Sequence, residues 1–392
     1  MGPRAMRSKH LPTLTIGLFI TGIVTGLSGA GQWQEFCISP TTDDQEEPDV
    51  YGHIVVWQQY LYDYADYDIY VADLTEPGDM VVLIIGDQSD QTRPALYENT
   101  VVWQDYIVWE SGADWDIWMA DISDPTNPQL YAVSDIANND EQCPVISGNM
   151  VVWQDGQVGD FDICGADITD PEYPQEFAIC TSTFNQQTPA IYRTTAVWQD
   201  DFYGDRDVFG ADIWQRNRPA EFALAAFENN QRNPAICGDI AVWADDFFGD
   251  WDICAADISD TNNPLEFSIT TDISDQTNPD IDGKIIVWQD YRNNNWDIYG
   301  YNLTTQWEFQ ITDNSYDQIH PAISGNVVVW EDNRNGSWNI YAVMLIGPEV
   351  AACKSKIDGD VNGDCKIDLT DFAMMASGWL DCNLQPQEAC WR

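Results

Sequence analysis

The sequence predicts an all-β fold, a seven-bladed β-propeller closed by an N-terminal strand, with a small C-terminal calcium loop-helix module. Three observations carry this. A tryptophan closing an apolar run recurs at Trp57, Trp103, Trp153, Trp198, Trp243, Trp288 and Trp330, and a proline precedes it each time, at Pro48, Pro94, Pro144, Pro189, Pro234, Pro279 and Pro321. The units are 42 to 50 residues long; repeats of this length containing several short strands stack as blades. The last unit, from Asp317, stops after "WNIYAVMLI" without the "EFxIT" segment of its neighbours, whereas "QWQEFCIS" at 32–39 matches "QWEFQIT" of the sixth unit and precedes the first proline. The N-terminal segment is therefore expected to supply the missing strand and remove the open sheet edges.

Taken in chain order, residues 1–30 read as a secretory signal peptide: Arg4, Arg7 and Lys9, an apolar run from Leu14 to Leu27, then Ser28, Gly29 and Ala30. That run is short for a membrane span, and Gly31 stands where a lipoprotein would need cysteine. Residues 31–348 form the propeller. In each unit a short strand follows the proline ("PAISG"), a second is "VVWQ", a third "DIYGYNL" and a fourth "EFQIT", with Gly and Asn marking the first turn. The runs do not alternate, which suits strands buried on both faces and makes the repeated tryptophan core packing.

Removing the signal segment takes the formal charge from −49 to −52. Such a chain repels nucleic acid and anionic membranes, and a monomer is expected, secreted, extracellular or at the cell surface, with the periplasm as the alternative. The ten cysteines, even in number and bound for an oxidising compartment, predict disulfides. One pair is proposed: matching Ile168 with Glu176 across a hairpin sets Cys164 opposite Cys180.

Two loop sets carry polar residues and are expected on one face. One leads into each blade ("DQTNP", "DQIHP"); the other joins strands two and three ("WQDDFYGDRD", "WADDFFGDWD", "WQDYRNNNWD"). The candidate binding residues are Asp200, Tyr203, Asp245, Phe247, Asp290, Tyr291, Arg292, His320, Asp332 and Arg334. Aromatic rings there stack on sugar faces, and carboxylates bind hydroxyls or cations. The alternative for the aspartates is bonding to turn amides, as Asp does in tight turns.

The repeat "NPxIxGxxVVWQDxRNGxWDIYxxDL" resembles the TolB-like propeller repeats of periplasmic and bacterial surface proteins, over residues 32–347. Residues 349–392 change language. Asp360, Asn362, Asp364, Lys366 (through its carbonyl), Asp368 and Asp371 fall at positions one, three, five, seven, nine and twelve of a calcium loop, before a helical run from Phe372 to Leu380. The pattern resembles one loop–helix half of a type I dockerin, with Cys365 in place of the usual glycine and a single copy instead of two. That resemblance implies Ca²⁺ and a cohesin-like scaffold as partners.

Function then divides. One reading is a secreted or cell-surface binding protein whose propeller face takes a glycan, a peptide or surface protein, or a cation. The alternative is a polysaccharide-active enzyme, since some TolB-like propellers are lyases of uronate oligosaccharides. A lyase needs a base; after the signal segment the chain holds only His53 and His320 as histidines, and an acidic face repels an anionic uronate.

Overall fold

The structure is a computed structural model that describes residues 33–346 apart from 76–81, 86–88, 109–112, 125–126, 137–138, 157–158, 203, 217 and 226–228. Its strands form seven four-stranded sheets, and every ladder is antiparallel. The blades span 45–85, 91–134, 141–180, 186–225, 231–268, 276–310 and 318–344. Blade six shows the plan: an inner strand Gln276–Asp282, then Ile285–Asp290, Asp297–Asn302 and an outer strand Trp307–Gln310. No helix occurs among the described residues, and none there is long and apolar enough to cross a membrane.

The core lies between blades. Each of seven apolar clusters joins residues of two neighbours, as Val55 and Trp57 of blade one pack with Val329 and Ile340 of blade seven. All seven repeated tryptophans are at most 1% exposed, so no blade can bury its faces alone. Second strands such as Ile285–Asp290 and Val327–Asp332 are buried at every position, the physical basis of their unbroken apolar run. The Phe of "EFxIT" lies over a third-strand glycine: a Cβ on Gly300 would stand 2.7 Å from the Phe309 ring.

The inner strands begin three residues before each proline, earlier than the sequence reading placed them. Glu47, Arg93, Cys143, Thr188, Asn233, Asn278 and His320, each just before the proline, have φ between 47° and 54°. The ladder shifts register there. This is a bulge in which proline, having no N–H, leaves no ladder donor unpaired.

Closure runs through the N-terminus. Strand Phe36–Cys37 pairs with Asn339–Met344 (Phe36 with Ala342, Cys37 with Tyr341), Ile38 N–H donates to Ile340 at 2.9 Å, and Trp33 packs on Phe309 at 5.6 Å. The proposed disulfide does not form. Ala166, not Ile168, faces Glu176, and a bulge after Ile163 sets Cys180 opposite Ile163. The two sulfurs therefore leave opposite faces of the blade: Cys164 packs toward blade two and Cys180 toward blade four. The six cysteines among the described residues are free thiols. The signal segment and the calcium loop lie outside the described residues.

Deleting 33–39 removes the buried Ile38 and the partly buried Phe36 from the last blade. At about 1.5–3 kcal/mol per large apolar side chain, unfolding free energy should fall by roughly 3–6 kcal/mol. Urea unfolding measures this; a lower midpoint together with edge-driven association is expected, and an unchanged midpoint would contradict ring closure.

Candidate functional site

The two loop sets meet on one face. Asn185 donates through N–H and Nδ2 to Asp201 at 2.7 and 3.0 Å, Asn230 likewise to Asp246 at 2.8 Å each, and Asp317 N–H to Asn333 at 3.1 Å. The same leading-loop residues reach the preceding blade: Asp90 accepts Tyr67 N–H, Asp275 accepts Trp251 N–H, and Asp317 accepts Trp296 N–H, at 3.0–3.1 Å. Much of the polar language of this face thus joins blades.

Asp200, Asp245, Asp290 and Asp332 are buried, at 0–8% exposure. Each takes the N–H two residues on (Phe202, Phe247, Arg292, Arg334) at 2.8–2.9 Å, and the indole N–H of its own blade's tryptophan at 3.1–3.5 Å. Burial pushes the Asp200 and Asp245 carboxyls up, against those hydrogen bonds. Arg292 forks onto Asp290 (2.9 and 2.6 Å), reaches Glu308 at 2.6 Å, and lies 4.2 Å over Tyr299. Arg334 repeats this with Asp332, Glu35 and Tyr341. These two guanidiniums are held flat within their blades rather than offered to solvent.

His320 lies in the bulge of the seventh inner strand, not in the loop before it. Its Nδ1 is 2.7 Å from Glu331 Oε1. Burial alone would lower its pKa, but Glu331, then Glu47, push it up to about 9. His53 sits in the first turn of blade one, at the opposite end.

Several of the residues left facing solvent are aromatic. Phe202, Phe247 and Tyr291 are 46%, 65% and 43% exposed; Tyr203 lies outside the described residues. Sequence reasoning missed several partners: Phe184 edges Phe202 at 5.0 Å, Phe248 edges Phe247 at 4.9 Å, Trp296 lies 5.1 Å from Tyr291, and Trp115 lies 5.1 Å from Tyr106. In blade one, Tyr60 contacts Tyr62 and Tyr67 at 5.1 and 5.0 Å. The signal available was an aromatic beside the loop acids, as in "TFNQ". In the same loops Asp63 is exposed and Asp201, Asp205, Asp246 and Asp250 are half-buried. The other end carries exposed aromatics singly, Tyr173, Trp214 and Trp307. Among the described residues no three His, Cys, Asp or Glu side chains gather as for a metal ion.

No protein-family model and no curated protein sequence matches the chain. Solved structures do. A puromycin-hydrolyzing peptidase of Mycobacterium tuberculosis aligns with TM-score 0.59 and 13% identity over 79% of this chain and 54% of the peptidase, so the chain spans about half of that protein. Oligogalacturonate lyase of Vibrio parahaemolyticus aligns with TM-score 0.59 and 12% identity over 81% of this chain and 95% of the lyase; an oligogalacturonate lyase in complex with manganese gives TM-score 0.57, 12% identity and coverage of 82% and 99%. TolB of Acinetobacter baumannii gives 0.43, at 12% identity over 78% of this chain and 79% of TolB. At these identities the likeness is one of fold.

His320 also yields a pH prediction. Its folded pKa, about 9, exceeds the ordinary 6.5, so its ion pair stabilises the fold fully below about pH 6.5 and is lost as pH rises through about 9. Unfolding midpoints should fall across that window, and His320→Gln should flatten the fall. A wild-type profile identical to that of the variant would contradict the pairing.

Proposed function

We propose that this is a secreted or cell-surface binding protein whose aromatic loop face takes a neutral or amine-bearing glycan. The supporting observation is that exposed rings stand in pairs on one face, in loops that also carry carboxylates. Isolated exposed aromatics are ordinary; contiguous ones mark contact surfaces. Rings supply sugar-stacking area, and acids of the same loops, such as Asp205 and Asp250, accept hydrogen bonds from hydroxyls or ammonium groups. The acidic field disfavours anionic glycans. The tail binds Ca²⁺ through Asp360, Asn362, Asp364, the Lys366 carbonyl, Asp368 and Asp371, and attaches the propeller to a cohesin-like or other surface partner.

Catalysis on uronate oligosaccharides is the alternative suggested by the likeness to the lyases. Against it, Arg292, Arg334 and His320 are each committed to carboxylates, which leaves the exposed Arg206 and the exposed tyrosines of this face as the side chains that could take a proton next to a substrate carboxylate.

The test is a glycan-array screen followed by titration calorimetry on the full chain. Phe202→Ala, Phe247→Ala and Tyr291→Ala should each weaken binding about tenfold, a loss of about 1.4 kcal/mol, with the fold retained. Calcium should bind the tail at about 10⁻⁴ to 10⁻³ M, and Asp360→Ala with Asp364→Ala should remove those heats. Unchanged affinity in all three aromatic variants would place the working surface elsewhere; unsaturated products from oligogalacturonate would favour the enzyme.

A further inference from the structure

Blade four departs from the repeat at the end opposite the aromatic face. The loop joining its third and fourth strands, Asp207–Asp212 and Ala220–Ala225, reads "IWQRNRPA", where blades two, three and five read "ISDPTNPQ", "ITDPEYPQ" and "ISDTNNPL". The same two hydrogen bonds form in all four. The second residue (Ser123, Thr169, Trp214, Ser259) donates its N–H to the aspartate that closes the third strand, at 2.9 Å. The sixth (Asn127, Tyr173, Arg218, Asn263) donates to the carbonyl three residues back at 2.7–3.0 Å. The turn therefore needs neither tryptophan nor arginine, and what blade four changes is its surface. Trp214 stands 76% exposed, and Arg216 and Arg218 occupy a loop that in the other three carries acids: Asp124, Asp170 with Glu172, and Asp260.

The adjoining first turn changes too. Its left-handed position is glycine in five blades (Gly52, Gly148, Gly238, Gly283 and Gly325, φ 57–62°) and Glu98 in blade two, but Arg193 in blade four, at φ 56°. A side chain held in that region costs free energy, and such strain concentrates at binding sites. Ser147 Oγ of blade three accepts Arg193 N–H at 2.8 Å, and the guanidinium lies 5.4 Å over the Tyr192 ring. Ile213 N–H donates to the Thr194 carbonyl at 2.8 Å, which sets the Arg193 turn directly against the Trp214 loop. Three of the nine Lys and Arg side chains of the described residues thus gather at one end of one blade, beside an exposed indole. Arg216 pairs with Asp167 of blade three. That contact between blades accounts for Arg216, but for neither Trp214 nor Arg218, and Arg193 and Arg218 make no ion pair among the described residues.

We propose that this end of blade four binds an anionic glycan, a sugar polymer bearing carboxylate or sulfate groups. Trp214 stacks on a sugar face, and Arg193 and Arg218 hold the charged substituents through paired N–H donors. Arg216, whose side chain remains 46% exposed, adds its charge. The acidic balance of the whole chain does not oppose this at contact range: the Debye length is about 8 Å at physiological ionic strength, so arginines beside the ligand outweigh acids elsewhere on the ring. The site is independent of whatever the aromatic face binds and lies at the other end of the propeller.

The experiment is titration calorimetry of the full chain with hyaluronan oligosaccharide, which carries carboxylates, and with dextran sulfate, which carries sulfates, at low and at high salt. One or both should bind, more weakly as salt rises; which of them binds tells carboxylate from sulfate. Trp214→Ser and Arg193→Gly install the residues that other blades carry, so both variants should fold with unfolding midpoints no lower than that of the wild type. Each of them, and Arg218→Ala, should weaken binding about tenfold. Lys284→Ala removes one exposed positive charge from the same end of the ring, in blade six, and should leave the affinity unchanged. The proposal is overturned if neither polymer binds, or if the three blade-four variants bind as tightly as the wild type or the Lys284 variant.

Discussion

The ring depends on one hydrogen bond repeated around it. The residue before each proline has positive φ, and at five of the seven junctions its N–H is accepted by the glutamine or glutamate after the core tryptophan of the preceding blade. Gln58 takes Arg93 N–H at 2.9 Å, Gln104 takes Cys143 at 2.8 Å, Gln154 takes Thr188 at 3.2 Å, and Gln289 takes His320 at 3.0 Å. At the seam between the last blade and the first, Glu331 does the same for Glu47 at 2.8 Å. A buried N–H left unpaired would cost about 1–3 kcal/mol, so each blade is specified by its neighbour as well as by itself. Glu331 alone carries charge among these acceptors, and it is the one matched by a histidine.

This division of labour separates scaffold from surface. The aspartate next to that glutamine fastens the following loop to the tryptophan; the loop then projects rings beyond it. In blades six and seven arginine occupies the projecting position and folds back on its aspartate, so the aromatic display there rests on Tyr291 and Trp296. Blade five shows how far the pattern bends: Ala244 replaces the glutamine, and Arg232 opposite it lies 3.7 Å over Trp251.

The fold was largely legible because the repeat states its own period and the unmatched ends reveal the closing strand. Register was less so. A two-residue offset in register, Ala166 rather than Ile168 facing Glu176, together with a bulge at Ile163 that moved Cys180 to the other face, undid a disulfide that spacing alone supported, because strand periodicity is two and a one-residue slip reverses every side chain. The site was half legible. Exposed rings such as Phe247 and Tyr291 were read from loop composition, but a letter in a repeat does not say whether it faces solvent or a neighbouring blade, so Asp290 and Phe247 carried equal weight until burial separated them.

Amide hydrogen exchange at Phe202, Phe247, Arg292 and Arg334, with and without bound glycan, tests the central claim most directly. If the repeated aspartates are scaffold, these four amides exchange slowly in the free protein, close to the limit set by global unfolding, and ligand leaves their rates unchanged. Fast exchange in the free protein that slows only when glycan is added would make the aspartates part of the binding surface and contradict the account.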